Sequence, residues 1–151
     1  MRHFLLLLVT IALPAMAQTT LFQTVEGQPP YRIPAIATAK NGDVIALSDY
    51  RPCGNDIGFG RVDIKQRVSK DNGKTWGEMT EVLTGTGEGL TTGFGDACLV
   101  ADKNKNELLL VCVAGNQTYW KSSLADPQHL VTIHAYLDKK TVEWVCDKDF
   151  K

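Results

Sequence analysis

The sequence predicts an all-β fold on three observations. Apolar residues fall in short runs, turn residues separate the runs, and no stretch repeats apolar residues at the three-to-four spacing of a helix. Ile33 to Thr38 is apolar and strand-like, Lys40-Asn41-Gly42-Asp43 is a turn signal, and Val44 to Ser48 is a second strand. Asn-Gly tolerates the positive φ of a tight hairpin, so these two strands are expected to pair. After a Gly- and Pro-containing loop from Pro52 to Gly60, Val62, Ile64, Gln66 and Val68 alternate with Asp63, Lys65 and Arg67, the pattern of a half-buried strand. By that alternation Asp63 is an outward strand residue or a network partner.

Asp71-Asn72-Gly73-Lys74 then turns the chain, and Thr75 to Leu83 is expected to return it. Gly85 to Gly95 holds five glycines and three threonines, a loop free to approach a ligand closely. Ala97 to Ala101 and Glu107 to Val113 form a hairpin around the polar turn Asp102 to Asn106, and Val131 to Leu137 with Thr141 to Val145 form a last pair. The stretch Tyr136 to Trp144 faintly echoes the one ending at Trp76, without its serine and glycine, so internal repeat and coincidence both stay open.

A length of 151 residues gives room for one modest domain, and 44% hydrophobic with 22% charged residues is the balance of a globular chain, not a disordered one. A short basic start, the apolar run Phe4 to Leu13 and Ala15-Met16-Ala17 read as a signal peptide over residues 1–17. The apolar run is shorter than the roughly 20 residues a membrane span needs. The chain is therefore expected to be exported, periplasmic or extracellular, with no membrane span after cleavage and residues 18–151 as its domain. Loss of Arg2 with the leader leaves 15 basic against 17 acidic residues, about −2 overall, a balance that offers nothing to nucleic acid. An anionic ligand would have to be held by a few placed arginines. Cys53, Cys98, Cys112 and Cys146 form no disulfide framework or metal signature. Cys98 and Cys112 alternate with apolar neighbours and are expected as buried thiols; no metal or cofactor is expected.

Three motifs remain. Tyr31-Arg32-Ile33-Pro34 puts an arginine at the start of an apolar strand, and Asp49-Tyr50-Arg51-Pro52 puts another at a strand exit, with Asp56 five residues on in Gly54-Asn55-Asp56-Ile57-Gly58. Ser69-x-Asp71-x-Gly73-x-Thr75-Trp76 is built to close on itself: the Asp71 side chain can accept from its own turn, Gly73 supplies a positive φ, and Trp76 covers the hairpin. Asp96, in Gly93-Phe94-Gly95-Asp96-Ala97-Cys98, ends the glycine-rich loop at a strand mouth. Taken singly, Arg32 could equally serve a structural ion pair, and Asp56 and Asp96 could be turn residues.

In this order the motifs resemble the N-terminal portion of the bacterial exo-sialidase (neuraminidase) family, over about Gln28 to Gly115 and weakly after that. The resemblance implies a six-bladed β-propeller of which this chain supplies about the first two blades. It implies a retaining glycoside hydrolase that removes terminal α-linked sialic acids from glycoproteins, glycolipids and oligosaccharides. Arg32 would grip the sugar's carboxylate with two parallel hydrogen bonds. Arg51 and Asp96 would contact its 4-hydroxyl region, and Asp56 would act as acid/base. Ser69, Asp71, Gly73, Thr75 and Trp76 would be a structural Asp box away from the active site. The tyrosine nucleophile, its glutamate and two further arginines lie beyond the matched stretch in that family, and neither Tyr119 nor Tyr136 maps to them. The chain is thus expected to be inactive as a truncated product; the alternative is a non-catalytic propeller fragment or glycan-binding module.

Overall fold

The computed structural model describes residues 18–137 and 142–146; the expected signal peptide at 1–17, the echo's Asp138 and Thr141, and residues 147–151 lie outside the described residues. Eight strands form: β1 (Tyr31–Thr38), β2 (Val44–Tyr50), β3 (Asp63–Ser69), β4 (Thr80–Leu83), β5 (Phe94–Ala101), β6 (Glu107–Ala114), β7 (His129–Leu137) and β8 (Val142–Cys146). They make two four-stranded antiparallel meanders, ordered β1-β2-β3-β4 and β5-β6-β7-β8. No helix of the described residues is long and apolar enough to cross a membrane.

Asn41-Gly42 turns β1 into β2 as expected, with Gly42 at φ 89° and Thr38 opposite Val44. β2 reads Val44-Ile45-Ala46-Leu47 without polar interruption and is buried along that whole run. β6 alternates instead, turning Leu108, Leu110, Cys112 and Ala114 inward. Ile45, Leu47 and Ile64 of the first sheet join Leu108, Leu110 and Ile133 of the second in one core. Each such aliphatic side chain contributes about 1.5–3 kcal/mol by leaving water. Polar links add direction: the Trp144 indole N–H donates to Gln66 Oε1 at 2.9 Å, and the Phe94 amide donates to the Val62 carbonyl at 3.0 Å.

At the β3–β4 turn, Asp71 accepts from the Thr75 amide (2.8 Å), the Thr75 hydroxyl (2.6 Å) and the Ser69 hydroxyl (2.8 Å), while Ser69 Oγ also accepts from the Gly73 amide at 2.8 Å. Gly73 takes φ 85°, and Trp76 is half-buried. Ser69 pairs with Val44 and Asp63 with Tyr50, so this turn and the β2–β3 loop occupy opposite ends of one sheet.

Three sequence expectations change. The returning strand is Thr80–Leu83, not Thr75–Leu83: before it, the Gly77 amide donates to the Val68 carbonyl at 2.9 Å while the Gly77 carbonyl accepts from the Arg67 side chain at 2.9 Å. The Gly85–Gly95 stretch contains a 3-10 turn at Gly89–Thr91 and already enters β5 at Phe94. Cys112 is buried as expected, but Cys98 is exposed. A bulge between Gly95 and Cys98 adds one residue to β5, sets Cys98 opposite Val111, and so turns it outward.

Candidate functional site

The β2–β3 loop and the start of β5 bring three aspartates around one arginine. Arg51 follows β2 directly and is 1% exposed. Its Nη2 donates to Asp49 Oδ2 at 2.8 Å, its Nη1 lies 3.0 Å from Asp56 Oδ1, and Nη2 lies 3.5 Å from Asp96 Oδ1. Asp49 is fully buried, while the Asp56 and Asp96 side chains are about half exposed. The arrangement therefore has a dry base, Asp49 with Arg51, and two carboxylates open to a ligand.

Local sequence explains the placement. Asp56 sits in a loop where Asn55 Oδ1 accepts from the Asp56 amide and Asp56 Oδ1 accepts from the Ile57 amide, both at 2.8 Å. Gly58, at φ 90°, lies against the Gln117–Thr118 backbone, where an added Cβ would come within 2.4 Å of the Thr118 nitrogen. Only glycine lets the loop dock there. Asp96 occupies the β5 bulge at φ 54°, and its amide donates to Asp49 Oδ1 at 3.1 Å. Ile33 has φ 50° in a matching bulge of β1 between Arg32 and Ala35, an unusual conformation for a β-branched residue. Both innermost strands are thus bent at the site.

Arg32 pairs in register with Asp49. It is exposed and forms no ion pair among the described residues, and its positive charge counters the rise in the Asp96 pKa. That rise comes first from burial and then from the neighbouring Asp56 charge. Burial also pushes Asp49 up to about 6, against the Arg51 hydrogen bond and the Asp96 amide, which pull it down. Asp63, open in sequence to two readings, is a buried network partner: it accepts from Arg61 Nε at 2.9 Å and from the Gly85 amide at 2.9 Å. The Ser69–Trp76 turn stands apart from all of this.

Asp56 and Asp96 border a cleft of about 230 Å³ whose other wall is Phe59, Tyr119, Trp120 and Gln128. Tyr119 and Trp120 are 73% and 87% exposed and meet edge to face with centroids 5.2 Å apart. Arg32 lines a separate groove of about 380 Å³ with Leu21, Phe22, Tyr31 and Ile36. Sequence reasoning missed Asp49 and the aromatic wall; two adjacent aromatics in an otherwise unpatterned loop were the available signal. Among the described residues no cluster of His, Cys, Asp or Glu has the geometry to hold a metal.

No family model matches the chain. It is 34% identical over 118 residues, 77% of its length, to a sialidase of Micromonospora viridifaciens. The chain is a relative of the sialidases. It spans 18% of that sialidase's length. Solved structures share its fold: the Hadza microbial sialidase Hz136 with a TM-score of 0.61 at 23% identity, over 77% of this chain and 25% of that one. Trypanosoma rangeli sialidase gives 0.59 at 18% identity over 79% and 20%, and the NanB sialidase of Streptococcus pneumoniae gives 0.55 at 21% over 70% and 19%. The two meanders are accordingly two blades of a sialidase-type β-propeller, matching the N-terminal portion of that family.

Proposed function

We propose that the chain carries part of the substrate pocket of an exported sialidase-family glycoside hydrolase acting on terminal α-linked sialic acids. The observation that carries this reading is the convergence of Arg51, Asp56 and Asp96, with Arg32 lining the neighbouring groove, in register with Asp49 and near enough for its charge to act on Asp96. In this reading Arg32 takes the sugar carboxylate through charge-assisted hydrogen bonds. Asp96, open to solvent, accepts from the 4-hydroxyl, with Arg51 beneath it neutralising the carboxylates. Asp56 gives a proton to the glycosidic oxygen as the aglycone leaves and then takes one from water, which requires it to turn away from Arg51. Tyr119 and Trp120 form an apolar wall for the non-charged part of the ligand.

The binding-module reading applies to this polypeptide by itself, and a specific observation favours it. The cleft contains Tyr119, but no glutamate is among its described lining residues, and its two carboxylates, Asp56 and Asp96, are paired with Arg51. The test is paired. Saturation-transfer NMR with a methyl α-sialoside should show binding at millimolar ligand, and a fluorogenic α-sialoside should show no turnover. Turnover by this chain would overturn the binding-module reading; absence of binding, with neutral sugars binding instead, would overturn the sialic acid assignment.

A further inference from the structure

We propose that Asp49 is the positioning residue of this pocket, one buried carboxylate that fixes the Arg51 guanidinium of the first blade and the Asp96 backbone of the second together. No ligand can touch Asp49, which has no exposed surface. Its oxygens are instead used on both sides. Oδ2 accepts from Arg51 Nη2 at 2.8 Å, and the Asp96 amide donates to the same carboxylate, 3.1 Å from Oδ1 and 3.3 Å from Oδ2. Asp96 is the bulged residue at φ 54°, so its amide direction depends on having an acceptor there. Gly95 completes the fit, because a Cβ at that position would lie 2.7 Å from Asp49 Oδ2 and 2.7 Å from Ile57 Cδ1. The Asp96 amide therefore reaches Asp49 only because position 95 carries no side chain.

Four charged groups act at this point: Arg51 from the β2–β3 loop, Asp96 from β5, Arg32 opposite in register on β1, and Asp56 through its pair with Arg51. Burial dominates and holds the Asp49 carboxyl near 6 rather than the usual 3.8. As pH falls through that value Asp49 takes a proton, and a neutral carboxyl is a weaker acceptor than a carboxylate. Its bonds to Arg51 and to the Asp96 amide weaken together, Arg51 is left to Asp56 and Asp96, and the bulge loses its anchor. Asp49 then contributes to the acid limit of ligand binding alongside Asp96, whose own pKa burial raises. The inference rests on the functional reading above only for what the pocket binds.

The experiment follows the Asp96 backbone amide and the Arg51 side-chain N–H by proton–nitrogen NMR of the whole chain between pH 4.5 and 8. The Asp96 amide proton should sit downfield at pH 8 and move upfield with a midpoint near 6, and the Arg51 signal should move with the same midpoint. Asp49→Asn should abolish that midpoint in both signals, whereas Asp56→Asn should leave it in the Asp96 amide. The wild-type titration decides even if Asp49→Asn fails to fold. An Asp96 amide that does not move between pH 5 and 7 overturns the proposal, as does a midpoint that survives in Asp49→Asn and so belongs to Asp96 itself. Failure of the sialoside to bind at pH 7.5, with the titration intact, sinks the functional reading and leaves Asp49 in its role.

Discussion

The two ends of the first sheet both use aspartates, and they treat them in opposite ways. At the β3–β4 end Asp71 is open to water but saturated by its own turn: hydrogen bonds from the Thr75 hydroxyl and amide and from Ser69 hold its pKa down at about 2. At the β2–β3 end Asp49 is removed from water and held near 6 by burial. An acid with a lowered pKa stabilises the fold above its ordinary value and loses that contribution as pH falls through the folded value. Asp71 therefore stops contributing as pH falls toward 2. An acid with a raised pKa favours the fold at low pH and loses that favour as pH rises through the folded value, so the Asp49 contribution is gone above about 6. Local hydrogen bonds make a closed staple at one end; buried charge at the other leaves Asp56 and Asp96 available to a ligand.

The largest break in this comparison is Arg51→Met. It removes the cation from between Asp49, Asp56 and Asp96 and leaves a buried carboxylate unpaired, which costs about 3–5 kcal/mol. Urea unfolding at pH 7.5 should show that loss, and it should shrink at pH 5 as Asp49 becomes neutral. An equal loss at both pH values would place the cost in packing and not in charge. Gly95→Ala comes next. Its methyl would overlap Asp49 and Ile57, and overpacking of this kind costs about 1–3 kcal/mol. The substitution should also disturb the Asp96 amide in NMR while leaving Thr75 and Gly73 of the opposite turn unmoved.

Asp71→Ala sharpens the other side. Its effect on stability should be smaller than that of Arg51→Met, present at pH 7 and shrinking as pH falls toward 2, where wild-type Asp71 itself begins to take up a proton. Equal stability of the variant and the wild type at pH 7 would mean that the turn closes without the carboxylate.

Which of these features could be read in advance follows from the range of the interactions. The Asn41-Gly42 hairpin, the alternation of β6 and the self-closing turn from Ser69 to Thr75 are written within a few consecutive residues. Arg32, Arg51, Asp56 and Asp96 were picked out through resemblance, and the approach of Asp96 to Arg51 is a property of two sheets meeting. Asp49 was passed over because nothing local, between Ser48 and Tyr50, says that a second sheet will cover it and supply the Asp96 amide. The bulges were equally silent. One inserted residue at Asp96 reversed the faces of β5, which is why Cys98 faces out while Phe94 and Ala97 remain in.

The smallest expected effect on the fold comes from the residue with the largest expected effect on the ligand. Arg32 is exposed, lines the groove with Tyr31 and Ile36, and has no ion partner among the described residues, so Arg32→Ala should change unfolding by no more than about 0.5 kcal/mol. A guanidinium bound to a carboxylate ligand is worth about 1.5–3 kcal/mol, so sialoside binding should weaken roughly 10- to 100-fold. Arg51→Met would lose binding by spoiling the pocket; Arg32→Ala should lose it in a pocket whose Asp96 amide still titrates near pH 6. Intact binding in Arg32→Ala would move the carboxylate site away from β1 and leave the Arg51 cluster to carry recognition alone.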